Sequence, residues 1–94
     1  EMREPFVLLV APPPLGPFAD EYAAASLAEG VEKSRQLGRL YGLASSYLGA
    51  ECDVLDAGDA TAFSERDGIH LDVDGHERLG VAVGERLRAR LNRT

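Results

Sequence analysis

The sequence predicts an α/β fold with two parallel strands and two main helices. Three observations predict it. Phe6-Val7-Leu8-Leu9-Val10-Ala11 is an unbroken apolar run, too short for a helix and without the alternation of a half-exposed strand. Such runs suit a parallel strand covered on both faces. From Asp20 to Leu48, apolar residues instead recur at three- and four-residue steps, as on one face of a helix. After a second short strand pattern at residues 52–57, Leu79, Val83, Leu87 and Leu91 form a final helical stripe, with Ala82 beside it.

Each element has its punctuation. Pro12, Pro13 and Pro14 end the first strand, since residues without an N–H cannot continue a ladder. Leu15-Gly16-Pro17 extends that loop, and Asp20 is placed to cap a helix. Ala24, Leu27, Val31, Ser34, Leu37 or Gly38, Tyr41, Ala44 and Leu48 then form one stripe, with Glu29, Glu32, Lys33, Arg35, Gln36 and Arg39 opposite. The reading is one helix over residues 20–48, stopped by Gly49. Within it Gly30, Gly38 and Gly42 are weak points of about 1 kcal/mol each, best explained by close packing against a sheet.

Cys52-Asp53-Val54-Leu55-Asp56-Ala57 is the second strand, and residues 58–69 form a long loop. Asp72 caps the last helix, with Asp74 in its first turn. The order of strand, helix, strand, loop and helix suits one right-handed crossover with an added helix. Two strands are too few to stand alone as a doubly covered sheet, and the first has a bare edge. The chain reads as part of a larger sheet.

Bulk properties exclude several roles. Ninety-four residues with 45% hydrophobic and 28% charged residues suit one small globular domain. A net charge of -6 offers no basic surface for nucleic acid. Arg86, Arg88, Arg90 and Arg93 fall on several sides of the last helix and read as a solvated face. Cys52 is the single cysteine, so no internal disulfide forms. With no visible signal peptide or membrane-length apolar run, the expectation is a cytoplasmic chain without a membrane partner.

The chemistry concentrates in Asp67-Gly68-Ile69-His70-Leu71, followed by Gly75-His76. A carboxylate three residues ahead of an imidazole can hold one ring nitrogen and set the tautomer. The other nitrogen is then free to move a proton near neutrality. An acid that orients a histidine is two-thirds of a nucleophilic triad. The same residues could also be a plain Asp-Gly turn beside a surface histidine. A divalent-metal reading of His70, His76, Asp67, Asp72 and Asp74 fails the calcium-loop pattern and the helical zinc spacing, so no metal is expected.

This block, with the short gap before Gly75-His76 and the amphipathic helix after it, closely resembles the last block of the SGNH (GDSL-type) hydrolases. Val7-Leu8-Leu9-Val10-Ala11-Pro12-Pro13-Pro14-Leu15 resembles the fourth strand and following loop of the arylesterase and acyltransferase members, and Asp56-Ala57-Gly58 fits the next strand. The resemblance covers nearly the whole chain. It implies the C-terminal part of a three-layer α/β/α, flavodoxin-like sandwich, with residues 1–94 the C-terminal portion of one hydrolase domain.

The resemblance further implies that Asp67 orients His70, and that His70 activates a serine attacking a small carboxylic ester. Pro12, Pro13 and Pro14 would wall the substrate pocket, and no cofactor is implied. The family's Gly-Asp-Ser and Gly-x-Asn-Asp motifs are absent from these residues. Ser26, Ser34, Ser45, Ser46 and Ser64 all lack the flanking pattern. The expected partners are thus a small ester substrate and the serine-bearing N-terminal half of the domain, and the isolated chain is expected to be inactive. The rival reading is a non-catalytic fragment that forms a homo-oligomer through its bare strand edge.

Overall fold

The computed structural model describes residues 5–92. Strands β1 (Val7–Ala11) and β2 (Cys52–Asp56) pair in parallel, with Val7 opposite Cys52 and Ala11 opposite Asp56. The α/β class and both strands follow the sequence reading, although Phe6 and Ala57 fall just outside the strands.

The two edges of this sheet differ. The Val7 N–H donates to the Glu51 carbonyl at 2.8 Å. Ladder groups alternate sides with a two-residue period, so the backbone groups of Leu8 and Val10 point away from β2. On the outer edge of β2, the Cys52 carbonyl accepts the Ser45 hydroxyl at 3.3 Å, and the Val54 N–H donates to Asp53 Oδ1 at 2.8 Å. The Val54 carbonyl accepts from the Arg86 guanidinium. Side chains thus cover one edge; among the described residues, none covers the edge at Leu8 and Val10.

The single helix expected over residues 20–48 is instead three: α1 (Glu21–Ser26), α2 (Ala28–Ser34) and α3 (Leu37–Leu48). The breaks do not fall at the glycines. Leu27 leaves the helical region at φ -107 and ψ 7. At the second break, Gln36 N–H bonds back only three residues, to the Lys33 carbonyl at 3.1 Å. Here Ser34 is buried; its hydroxyl donates to the Val31 carbonyl at 2.7 Å and accepts the Leu15 N–H at 2.9 Å. The end of α2 is thereby tied to the loop after β1.

After that break α3 runs against the sheet, and Gly38 shows why a glycine is needed there. A Cβ at Gly38 would lie 2.0 Å from Asp56 Oδ2. Gly30 makes only an ordinary contact with Leu15, and Gly42 faces open space, so the packing explanation holds for Gly38 alone. Asp20 does cap α1, accepting the N–H groups of Tyr22 and Ala23, and Gly49 ends α3 at φ 86.

Helix α4 (Val73–Leu91) begins at Asp72, whose carboxylate accepts the Gly75 N–H at 2.6 Å. Leu79 and Val83 are half-buried, but Leu91 is 77% exposed. The C-terminal half of the apolar stripe therefore does not anchor the helix. Arginines do so instead, which corrects the solvated reading of two of them. Arg86 reaches Asp53 at 3.0 Å, while Arg90 pairs with Glu51 and lies over the Phe6 ring at 4.7 Å from its centroid. Arg88 is exposed as expected, and Arg93 lies outside the described residues.

The core is small. Among the described residues, Ala11, Pro13, Leu55 and Ala57 are the buried apolar ones, and no large side chain is fully enclosed. The radius of gyration is 15.6 Å, against about 12 Å for a compact domain of this length. The molecule is a slab of 55 × 28 × 18 Å.

Candidate active site

Parallel pairing places the C-terminal ends of β1 and β2 side by side, the position from which loops of open α/β sheets reach ligands. After β2, Asp56 Oδ1 accepts the Gly58 N–H at 3.0 Å and starts a short 3₁₀ turn, Ala57–Asp59. Thr61 follows, buried, and its hydroxyl donates to the Gly75 carbonyl in the first turn of α4 at 3.1 Å. These two bonds set where the next loop leaves the sheet and where it rejoins the helix.

Between them, residues 64–70 close on themselves. The Gly68 N–H donates to the Ser64 carbonyl at 2.8 Å, and the Ser64 N–H donates to the His70 carbonyl at 2.7 Å. Gly68 has φ +73, and a Cβ there would meet the Phe18 ring at 2.7 Å and the Pro17 carbonyl oxygen at 2.8 Å. Its own carbonyl accepts the Gly16 N–H at 2.8 Å. The loop after β1 therefore clamps the turn that carries Asp67 and His70. Only a residue without a side chain suits both that backbone and that approach.

Asp67 divides its two oxygens between two tasks. Oδ1 accepts the N–H groups of Ile69 and His70, both at 3.0 Å. Oδ2 meets His70 Nδ1 at 2.6 Å. The first arrangement matches what Asp20 does at the start of α1, two and three residues on, so Asp67 behaves as a helix cap without a helix. The Ile69 N–H first, and the His70 side chain next, hold the Asp67 carboxyl below the usual carboxylate range.

An ionised Asp67 only accepts, so Nδ1 of neutral His70 carries the ring proton and donates it. Nε2 is then left with its lone pair. The His70 side chain is 74% exposed and that of Asp67 43%. The arrangement is a proton acceptor of set tautomer, open to whatever docks against it.

The remaining candidates fall elsewhere. Pro12 and Pro13 line a cavity of about 280 Å³ with Leu15, Leu37 and Phe63, whereas exposed Pro14 packs beside Gly58 on the 3₁₀ turn. Neither Asp67 nor His70 lines that cavity. Ser34, Ser45 and Ser46 give their hydroxyls to backbone carbonyls, and Ser64 Oγ accepts the Arg66 N–H. Among the described residues, no serine hydroxyl is hydrogen-bonded to the His70 ring. His76 is exposed in the first turn of α4, its N–H bonded to the Asp72 carbonyl. Sequence reasoning missed the supporting roles of Gly16, Phe18 and Thr61; only the Gly16-Pro17 turn signal pointed toward the first.

Known proteins place this geometry in context. The native aryl esterase of M. smegmatis is similar at a TM-score of 0.77 and 33% identity, over 90% of this chain and 39% of that one. A carbohydrate acetylesterase from Sinorhizobium meliloti matches with 38% identity and a TM-score of 0.75, over 90% of this chain and 39% of its own. A further carbohydrate acetylesterase family member from that organism matches with 32% identity and a TM-score of 0.80, over 95% and 41%. No family model matches the chain, and no curated protein sequence does. The chain thus spans about two-fifths of the length of the solved structures it matches. This partial match bears out the resemblance read from the sequence, in a chain that shares the α/β fold of those esterases.

Proposed function

We propose that these residues are the acid–base part of an SGNH-type serine esterase domain acting on small carboxylic esters. The observation that carries this reading is the Asp67–His70 pair, held at 2.6 Å with Nε2 open, in a chain similar to esterases over nine-tenths of its length. In the proposed reaction a serine from the remainder of the domain gives its proton to Nε2 as it attacks the ester carbonyl. Asp67 stabilises the resulting imidazolium, which then protonates the departing alcohol. Water, or a second alcohol, releases the acyl group by the reverse proton path, so hydrolysis and acyl transfer share the site.

Aryl esters and acetylated carbohydrates are the substrate classes suggested by the neighbours' names. Pro12, Pro13 and Pro14 are the proposed wall of the pocket, with the cavity beside Phe63 as its apolar side. An acid–base pair without a nucleophile or oxyanion donors retains little of such a mechanism, so these residues alone are expected not to turn over alkyl esters.

The test is a chimera in which residues 1–94 replace the matching part of the M. smegmatis aryl esterase. A folded chimera should hydrolyse an alkyl acetate, and its His70→Ala form should not. A folded but inert chimera would remove the catalytic reading. A second reading, self-association, is favoured by the uncovered edge at Leu8 and Val10. It predicts a dimer in analytical ultracentrifugation, and a monomer at all concentrations counts against it.

A further inference from the structure

We propose that His70 is itself an acyl acceptor in this chain: Asp67 makes its Nε2 a nucleophile toward activated aryl esters, with no serine required. The geometry points to this by what it leaves unprotonated. A surface histidine exchanges between two tautomers and is often protonated on the nitrogen that a substrate would meet. Here Asp67 Oδ2 takes the Nδ1 proton at 2.6 Å, while Oδ1 is held by two backbone N–H groups and cannot swing away. The lone pair is therefore kept on Nε2, on a side chain 74% exposed.

The step balances as follows. The Nε2 lone pair forms a bond to the ester carbonyl carbon, and the carbonyl π pair moves to oxygen. Collapse breaks the bond to the aryloxide, which leaves with its electron pair. The acyl-imidazolium that remains keeps its Nδ1 proton directed at Asp67, whose negative charge offsets the new positive one. Water then adds to the acyl carbon and expels the neutral imidazole. In sum one ester and one water yield a carboxylate, an aryloxide and two protons. An alkyl ester does not follow this route, because the tetrahedral adduct expels imidazole in preference to the more basic alkoxide. The activity is thus separable from the serine reaction proposed above, and it departs from the sequence expectation that the isolated chain is inactive.

His76 is a built-in reference: exposed on α4, with no carboxylate paired to its ring among the described residues. The 94-residue chain is mixed with p-nitrophenyl acetate and release of p-nitrophenolate is followed past one equivalent. His70→Ala should lower the second-order rate constant about tenfold, and His76→Ala by less than about twofold.

Asp67→Asn sharpens the result. Its side-chain oxygen can still accept from Ile69 and His70, so the turn is retained, but its amide donates to Nδ1 and moves the ring proton to Nε2. The rate should fall nearly as far as in His70→Ala, with unchanged circular dichroism. Equal contributions from His70 and His76, or a wild-type rate in Asp67→Asn, would each overturn the proposal.

Discussion

The turn carrying Asp67 and His70 and the sheet-and-helix body beside it are built on opposite principles. The turn is exposed, yet its backbone is cross-tied at Ser64, Gly68, Ile69 and His70 and clamped from outside by Gly16. The body should be the better ordered part by burial, yet among the described residues its apolar interior is only Ala11, Pro13, Leu55 and Ala57. Leu91, Tyr47 and Leu48 remain largely in solvent. Site geometry is therefore set locally by hydrogen bonds, whereas packing energy is thin. The two properties can be perturbed separately.

The largest expected effect comes from Gly68→Ala. An L-residue held at φ +73 costs about 1–2 kcal/mol, and crowding against Phe18 and the Pro17 carbonyl adds about 1–3 kcal/mol. The Asp67–His70 bond should open, seen as loss of the Nδ1-protonated tautomer in nitrogen NMR spectra. An intact bond in that variant would show that the turn is not clamped.

Thr61→Val removes the buried hydroxyl from the Gly75 carbonyl and should lower stability by about 1 kcal/mol, read as a shift in the urea midpoint. An unchanged midpoint would deny the tie between loop and helix its importance.

Acid should act on the turn through Asp67. Asp67 is lowered from its ordinary value of 3.8, so its contribution is full above that pH and is lost as pH falls through the lower, folded value. The acid-limb movement of the Ile69 amide signal should have its midpoint below pH 3.8. A midpoint at or above that value would contradict the bonding of Oδ1. At the other extreme, Leu91→Ser should change stability by no more than about 0.5 kcal/mol, because the side chain is already exposed. A larger loss would reveal packing of the body that these contacts lack.

What the sequence made legible follows the same division. The strands, both aspartate caps, the Gly49 stop and the Asp67-to-His70 spacing are local signals, readable from residues a few positions apart. The break at Arg35 and Gln36 was not, because it accompanies the bond from the Leu15 N–H to Ser34, nineteen positions away. Arg86 and Arg90 looked like solvated charges because their partners, Asp53 and Glu51, lie across the fold. Gly38 and Gly42 are alike in sequence, and only the approach of Asp56 to the first tells them apart.

The cap-like bonding of Asp67 has a consequence for how such a segment can change over generations. Its oxygens reach the N–H groups two and three residues ahead and the ring of that same third residue. Side chains at Ile69 and around the loop can drift without moving those donors. A single codon inserted or deleted between Asp67 and His70 still leaves backbone donors two and three residues on but takes the imidazole out of reach of Oδ2, so this motif tolerates substitution but not a change in length.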